Sequence, residues 1–398
     1  MEHINSRAIK GEQLAQNDNK FSLGKGFHHV RSSNGQTAYK VDAQKHTCTC
    51  PDFTFNQQKC KHIYAVEIRQ GFAPNVVEMP PRSKYAQDWH NYNKSQCAEK
   101  SSFLNLLSEL TRNISEPEIQ SNGRPALPIG DMIFACIFKV YSGMSARRFT
   151  TDLKDVHAKG LLSECPHYTS LNRYMEKAEL TPYLEMLVEE TAKPLASLET
   201  DFAIDSTGLG VSNTVSWQHA KYKEPKMMTA KNWVKIHCCV GTRTNIITAV
   251  EVTDRFSHDA THFLPVLEST QKNFNVEQIS ADKAYSSMKH HAYADMHGIK
   301  PFIAFRDNAT AEGDYATSVW QKAFHYFNLN RAEFLQHYNK RSNVETTFHM
   351  LKSKFGGLLK SKDFQAQKNE ALAKVICHNI AVLTSAMNEF GITPEFVN

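Results

Sequence analysis

No stretch of the sequence stays apolar for the roughly 20 residues that a membrane helix requires. The nearest attempt, Ile129 to Tyr141, is interrupted by Asp131 and Lys139. The opening residues, Met1 to Gln16, are polar and mixed in charge, so neither a secretory signal nor a membrane partner is expected and a cytoplasmic location follows. Charge of one sign is also scarce: a net +5 over 398 residues does not by itself demand a polyanionic partner. Internal repeats and long low-complexity tracts are missing, which argues against solenoids and extended linkers. Cysteine is modest at nine. In a chain expected to stay in a reducing compartment, clustered cysteines read as metal ligands rather than disulfides.

What is present is unevenly spread. The length exceeds what one core usually serves, so two or three domains are expected. The first hundred residues hold 14 Lys and Arg against 9 Asp and Glu, the whole of the net excess. Residues 1–75 mix short strand-like runs with the clustered cysteines, and 76–100 read as a polar linker after the prolines at 74, 80 and 81. Residues 101–196 carry helical periodicity, as in Phe103, Leu106, Leu107 and Leu110, punctuated by prolines. Beyond them strands are expected at Asp201 to Asp205, Trp233 to Val240, Ile246 to Thr253, Gln278 to Asp282 and Pro301 to Phe305. Helices are expected near Thr261 to Asn273, Met288 to His297, Arg331 to Lys354 and Gln367 to Phe390. This α/β order, a meander followed by two parallel strands, resembles the ribonuclease-H-like arrangement of a mixed sheet flanked by helices.

Cys48, Cys50, Cys60 and His62 follow the spacing C-x-C-x(9)-C-x-H. Three thiolates and one imidazole form a closed tetrahedral set, the structural zinc arrangement with no position open to substrate. The alternative, four unbound groups packed in a core, is poor because C-x-C thiols are seldom inert. With Phe53 and the Cys-Lys-His-Ile order, the segment resembles a SWIM-type zinc finger. That resemblance implies DNA or protein as its ligand, and Lys45, Lys59, Lys61 and Arg69 around it favour DNA.

Tyr338, Arg341, Glu345 and Lys352 share a narrow stripe if they lie on one helix, since seven positions return within about 20° of the start. Alone, the stripe reads as a solvated face with an ordinary Arg341–Glu345 pair. Asp205, in DFAIDSTG, ends a strand before a turn, and Asp282, in EQISADKAYSS, ends a strand before a helix. Either one alone is more simply a turn or cap residue. Together, acids at the carboxyl ends of two strands can converge with Glu345 into a hard-oxygen site for Mg²⁺ or Mn²⁺.

These residues resemble the catalytic domain of bacterial insertion-sequence transposases of the DDE class, the subgroup marked Y-(2)-R-(3)-E-(6)-K. Tyr338, Arg341, Glu345 and Lys352 match every position of that signature. The resemblance implies Asp205, Asp282 and Glu345 as catalytic metal ligands, and Tyr338, Arg341 and Lys352 as holders of backbone phosphates. It implies a ribonuclease-H-like domain over 197–398 that cleaves double-stranded DNA at the element's terminal inverted repeats and joins the 3′ ends to target DNA. Pairing two such ends makes a homodimer the expected assembly. Two other readings stay open: an inactive DNA-binding regulator derived from such an enzyme, and a metal-dependent nuclease that never joins strands.

The 62 residues between Asp282 and Glu345 imply an insertion, placed near 306–336. Its Trp320, Phe324 and Tyr326 either fill a core or stack on a flipped base. Helices near Ile129 to Tyr141, Ala146 to Val156 and Thr169 to Ala178 are helix-turn-helix-like, with Asn172 and Arg173 facing outward toward DNA. His237, Cys238 and Cys239 lie in one strand whose alternation argues against a metal site. His290 and His291 are expected at the surface.

Overall fold

The computed structural model describes residues 2–24, 27–31, 37–56, 58–70, 88–116, 127–211, 233–311 and 317–396. The chain forms two compact units, Met1–Arg82 with Arg331–Leu335, and Ser83–Asn330 with Gln336–Asn398. Among the described residues no single helix is long and apolar enough to cross a membrane.

In the first unit, helix α1 (Glu2–Ala15) is followed by β1 (Phe21–Gly24), β2 (Phe27–Arg31), β3 (Ala38–Asp42) and β4 (Thr47–Cys48), paired antiparallel in that order. Short helix α2 (Pro51–Asn56) and α3 (Lys61–Arg69) close the unit. Its core is small: Leu14, Val30, Val41, Ile63, Ala65 and Val66 gather around Cys48, Cys50 and Cys60.

The second unit begins with helices α4 (Trp89–Arg112), α5 (Ile129–Ser142), α6 (Ala146–Ala158), α7 (Tyr168–Met175) and α8 (Leu180–Ala192). The stretch expected as linker is thus helical from Trp89 onward. Its polar sequence hid this because Ser95 and Glu99 are buried polar groups with partners: Ser95 Oγ donates to Asn91 O at 2.8 Å, and Glu99 accepts from Tyr141 Oη at 3.0 Å. Helices α5 and α6 meet at 120°. Leu171 and Met175 anchor α7, leaving Asn172 and Arg173 exposed.

Five strands form the second sheet: β5 (Asp201–Gly210), β6 (Trp233–Gly241), β7 (Ile247–Asp254), β8 (Gln278–Ala281) and β9 (Lys300–Ile303), in the order β7-β6-β5-β8-β9. The first three are antiparallel, and β8 and β9 run parallel to β5. This is the ribonuclease-H-like sheet. Strand β5 is twice as long as expected, so Asp205 sits in mid-strand. Ser206, Thr207 and Gly208 read as a turn in isolation, yet β6 pairs with β5 from Phe202↔Gly241 to Gly210↔Trp233 and holds them extended.

Helices α9 (Phe263–Gln271), α10 (Met288–Met296), α11 (Ser318–Leu329), α12 (Arg331–Tyr338), α13 (Ser342–Phe355) and α14 (Phe364–Glu389) complete the chain. The single helix expected from Arg331 to Lys354 is broken by a 3₁₀ turn at Asn339–Arg341. His290 and His291, expected at the surface, are buried. His290 stacks on Phe263 with centroids 4.4 Å apart, and its Nδ1 lies 2.6 Å from Tyr285 O. His291 lies between Phe305 and Trp320. Helix α10 has no apolar stripe in sequence because its buried face is made of imidazoles and alanine. Trp320 and Phe324 pack edge-on against Phe305 at 4.7 and 5.3 Å. These aromatics of the insertion fill a core, so Trp320 is buried rather than presented to a base.

Candidate functional site

The parallel ladder between β5 and β8 ends at Ile204↔Ala281. Asp205 and Asp282 are the next residue on each strand, so the register itself places the two acids side by side. Asp282 starts a 3₁₀ turn (Lys283–Tyr285) and accepts a hydrogen bond from the Ala284 amide at 2.7 Å, so it is a cap residue as well. Asp205 Oδ1 accepts from the Ser206 amide at 2.8 Å. Burial, helped by the charges of Asp282 and Glu345 and opposed by the Ser206 amide and Arg341, pushes the Asp205 carboxyl up to about 6.

Helix α13 brings in the third acid. Val344, Thr347, Phe348 and Leu351 bury its inner face. Asn343 Nδ2 donates to Thr242 O at 2.7 Å, and Thr347 Oγ1 to Asn245 Oδ1 at 3.2 Å, tying the helix to the β6–β7 turn. Beyond its C-terminus, Gly210 N donates to Gly357 O at 2.9 Å and Leu359 N to Gly210 O at 2.7 Å. The helix is therefore fixed along β5 at both ends. Arg341 bridges the acids, with Nη1 3.1 Å from Asp205 Oδ2 and Nη2 2.9 Å from Glu345 Oε1. Lys352 Nζ reaches Thr207 Oγ1 at 2.5 Å, and burial lowers its pKa. Glu345 is largely exposed, with 61% of its side chain open. Tyr338 lies beside the Arg341 guanidinium, 5.9 Å from ring centroid to Cζ. The stripe survives the break in the helix because the 3₁₀ turn keeps right-handed helical torsions at Tyr338, Arg341 and Ser342.

Asp282 and Glu345 are near enough for their charges to raise the Asp205 carboxyl, and hard carboxylate oxygens are the donors that suit a divalent cation. Among the described residues the three acids do not gather into a set with ligand atoms within 4.8 Å of one another.

A second polar group, marked by no sequence pattern, lies on the other face of β5. Ser206 Oγ donates to Asp259 Oδ1 at 2.7 Å, and Lys235 Nζ approaches the same oxygen at 3.0 Å. Buried His237 stacks on His262 at 4.1 Å and is held down to about 4 by burial. Ser257 Oγ and His262 Nε2 are 2.6 Å apart, and His262 Nδ1 meets Glu251. This has the connectivity of a nucleophilic triad, but the amides of Phe256 and Ser257 both donate to Asp254 and supply no oxyanion hole. The three residues brace the β7–α9 connection. Their segment is polar and aperiodic, so no pattern marks them. Cys238 and Cys239 are buried in the sheet and outside any metal cluster among the described residues.

In the N-terminal unit, Cys48, Cys50, Cys60 and His62 place one ligand atom each within 4.8 Å of all the others. His62 Nδ1 lies 3.8 Å from Cys60 Sγ and 3.9 Å from Cys48 Sγ. Zinc bond lengths put the corresponding tetrahedral edge at about 3.6 Å, so zinc fits. The Cys50 amide lies 3.4 Å from Cys48 Sγ and the Phe53 amide 3.4 Å from Cys50 Sγ, as suits thiolates around a cation. The hydrogen bond between Cys48 and Cys50 pushes the first thiol up and holds the second down. Of the basic residues around the finger, Lys59 pairs with Glu67 at 2.8 Å, while Arg69 donates to Ala15 O at 2.8 Å and covers Phe21. Lys45 is exposed.

Comparison with known proteins finds two family models in the chain. Residues 196–380 match the family model of the transposase DDE domain, and residues 39–71 match that of the SWIM zinc finger. No solved structure matches the chain. The protein therefore joins a SWIM zinc finger to a DDE transposase domain of ribonuclease-H-like fold, a combination that implies DNA as its ligand and a divalent metal in its chemistry.

Proposed function

We propose that this protein is a transposase that cleaves DNA at the ends of an insertion sequence and joins the 3′ ends to target DNA. The observation that carries the reading is Arg341 bridging Asp205 and Glu345 beside Asp282, with Lys352 farther along β5. Asp205, Asp282 and Glu345 would hold Mg²⁺ or Mn²⁺. When bound, such ions activate water or a 3′ hydroxyl and stabilise the in-line displacement at phosphorus. Arg341 and Lys352 hold the phosphate backbone as charge-assisted donors, and Tyr338 flanks them. Exposed Glu345 lies at the rim, where DNA enters, and Asp205 lies at the buried end. Helices α5 to α7, with Asn172 and Arg173 outward, and the finger supply contacts to double-stranded DNA at the inverted repeats. Two chains on paired ends form the working assembly.

The test uses a plasmid carrying the sequences that flank the coding region. With Mg²⁺, wild-type protein is expected to cut at those flanks and give strand-transfer products on a target plasmid, whereas Asp282→Asn binds the DNA and does not cut it. Full cleavage by Asp282→Asn would overturn the assignment. Cutting without joining would leave a nuclease, and binding without cutting by the wild type would leave a regulator.

A further inference from the structure

Helices α5 and α6 are joined by Gly143, Met144 and Ser145 alone, and they meet at 120°. Gly143 turns the chain there at φ +66°, a left-handed torsion that a side chain would strain. Two helices near that angle, joined by so short a turn with a glycine in it, have the geometry of a DNA-binding helix-turn-helix. Its second helix lies in the major groove and meets base edges with its N-terminal residues. Helix α7, which carries Asn172 and Arg173, follows only after residues 159–167. The helix that stands second in the motif is therefore α6.

Phe149, Leu153 and Val156 bury the inner face of α6. At 100° per residue, Arg147, Thr151, Lys154 and Ala158 fall within about 60° of one another on the opposite side, and all four are exposed. Arg148 flanks them, and the first turn carries no acid. Asp155 is exposed at the edge of the stripe, whereas Asp152 is turned inward and pairs with Lys100 of α4 at 3.6 Å. Among the described residues neither Arg147 nor Arg148 pairs with a carboxylate. The Arg147 guanidinium instead lies 5.6 Å from the ring centre of Tyr168 on α7, which holds it in place without neutralising it. The motif is also tied to the helix that carries Glu345. Lys360 Nζ donates to Gly143 O in the turn, while Glu99 accepts from Tyr141 Oη of α5 and pairs with Lys354 of α13.

We propose that α6 is a recognition helix that reads base edges in the major groove of duplex DNA. Arg147 is the bidentate donor to a guanine, and Thr151 and Lys154 follow it along the groove. This rests on reading the protein as a DNA transposase and names the element that chooses the sequence it binds. Arg173, on α7, then meets the phosphate backbone.

Full-length, zinc-loaded protein is used without Mg²⁺ to select from a pool of random-sequence DNA duplexes, and the bound fraction is sequenced. Wild type is expected to enrich a motif. Arg147→Ala should lose the preference at one G·C pair of it, by about 5- to 150-fold. Arg147→Lys keeps the charge without the planar fork, so it should lose the same preference while its affinity for unselected duplex stays within about twofold. Arg173→Ala should weaken binding to all sequences alike and shift no position. Melting followed by circular dichroism should be unchanged in all three. Retention of the preference by Arg147→Lys would make the contact one to phosphate and overturn the proposal. So would a preference that follows Arg173, a lower Tm of Arg147→Ala, or a wild type that binds duplex without any motif. A wild type that binds no duplex refutes the DNA reading itself, whereas a wild-type motif kept by both Arg147 variants refutes only the recognition helix.

Discussion

Cys48, Cys50, Cys60 and His62 fall within fifteen consecutive positions, so the chain needs no long-range pairing to bring them together, and their spacing was legible as a metal set. The unit they close has too small an apolar core to be secure alone, and ligand binding contributes folding free energy directly in such units. Cys48→Ser is therefore expected to release zinc and to abolish the cooperative unfolding of the finger. Metal analysis of purified wild-type and variant protein checks this, and wild-type protein free of zinc would refute it. At Asp205 the structural setting differs from the one the sequence implies. The acid was expected at a strand end, whereas it lies in mid-strand, at the end of the parallel pairing only. Asp259 was not legible at all, because a hydrogen bond from Ser206 leaves no periodic trace.

At the scale of elements, periodicity located most helices and strands and failed where polar groups are buried. Helix α14 shows why. It is 26 residues long and buries Asn369, Lys374, His378 and Asn379, so no single apolar stripe describes it. Asn379 acts as a strand partner for the edge of the sheet: Oδ1 accepts from Ile247 N at 3.0 Å, and Nδ2 donates to Ile247 O at 2.7 Å and to Thr191 Oγ1 at 3.1 Å. Replacing it by alanine leaves those buried groups without partners. Asn379→Ala is expected to destabilise the second unit by about 3 kcal/mol, several unsatisfied groups at once. Urea unfolding followed by tryptophan fluorescence measures it, since all four tryptophans fall outside residues 1–82. A loss below about 1 kcal/mol would show that water replaces the amide. The break between α12 and α13 belongs to the same scale. Continuous helical periodicity through Asn339–Arg341 conceals a 3₁₀ turn that places Arg341 over Asp205.

Over the whole molecule, buried titrating groups set the response to acid. Burial holds His237, His291 and His378 each down to about 4, below the roughly 6.5 expected of an unfolded chain. Between those limits the unfolded chain binds more protons, so stability falls as pH drops. Asp205, raised to about 6, and Glu199, also raised by burial, act in the opposite direction, since their folded forms take up protons first. The histidines outweigh them, and the urea midpoint of the second unit is expected to fall steadily from pH 7 to pH 5. A flat or rising midpoint over that range would contradict it.

The sequence alone determined what depends on local spacing: the four-ligand finger, the Tyr338 to Lys352 spacing, and the order of strands and helices. Tertiary structure decided what depends on register and burial. It set Asp205 against Asp282 through the β5–β8 ladder, laid Arg341 across two of the acids, turned polar residues 89–100 into a packed helix, and hid His290 and His291 among aromatic rings. The physical reason is that side-chain period follows from the backbone of one element, whereas convergence of charges and satisfaction of buried polar groups arise only between elements distant in the chain.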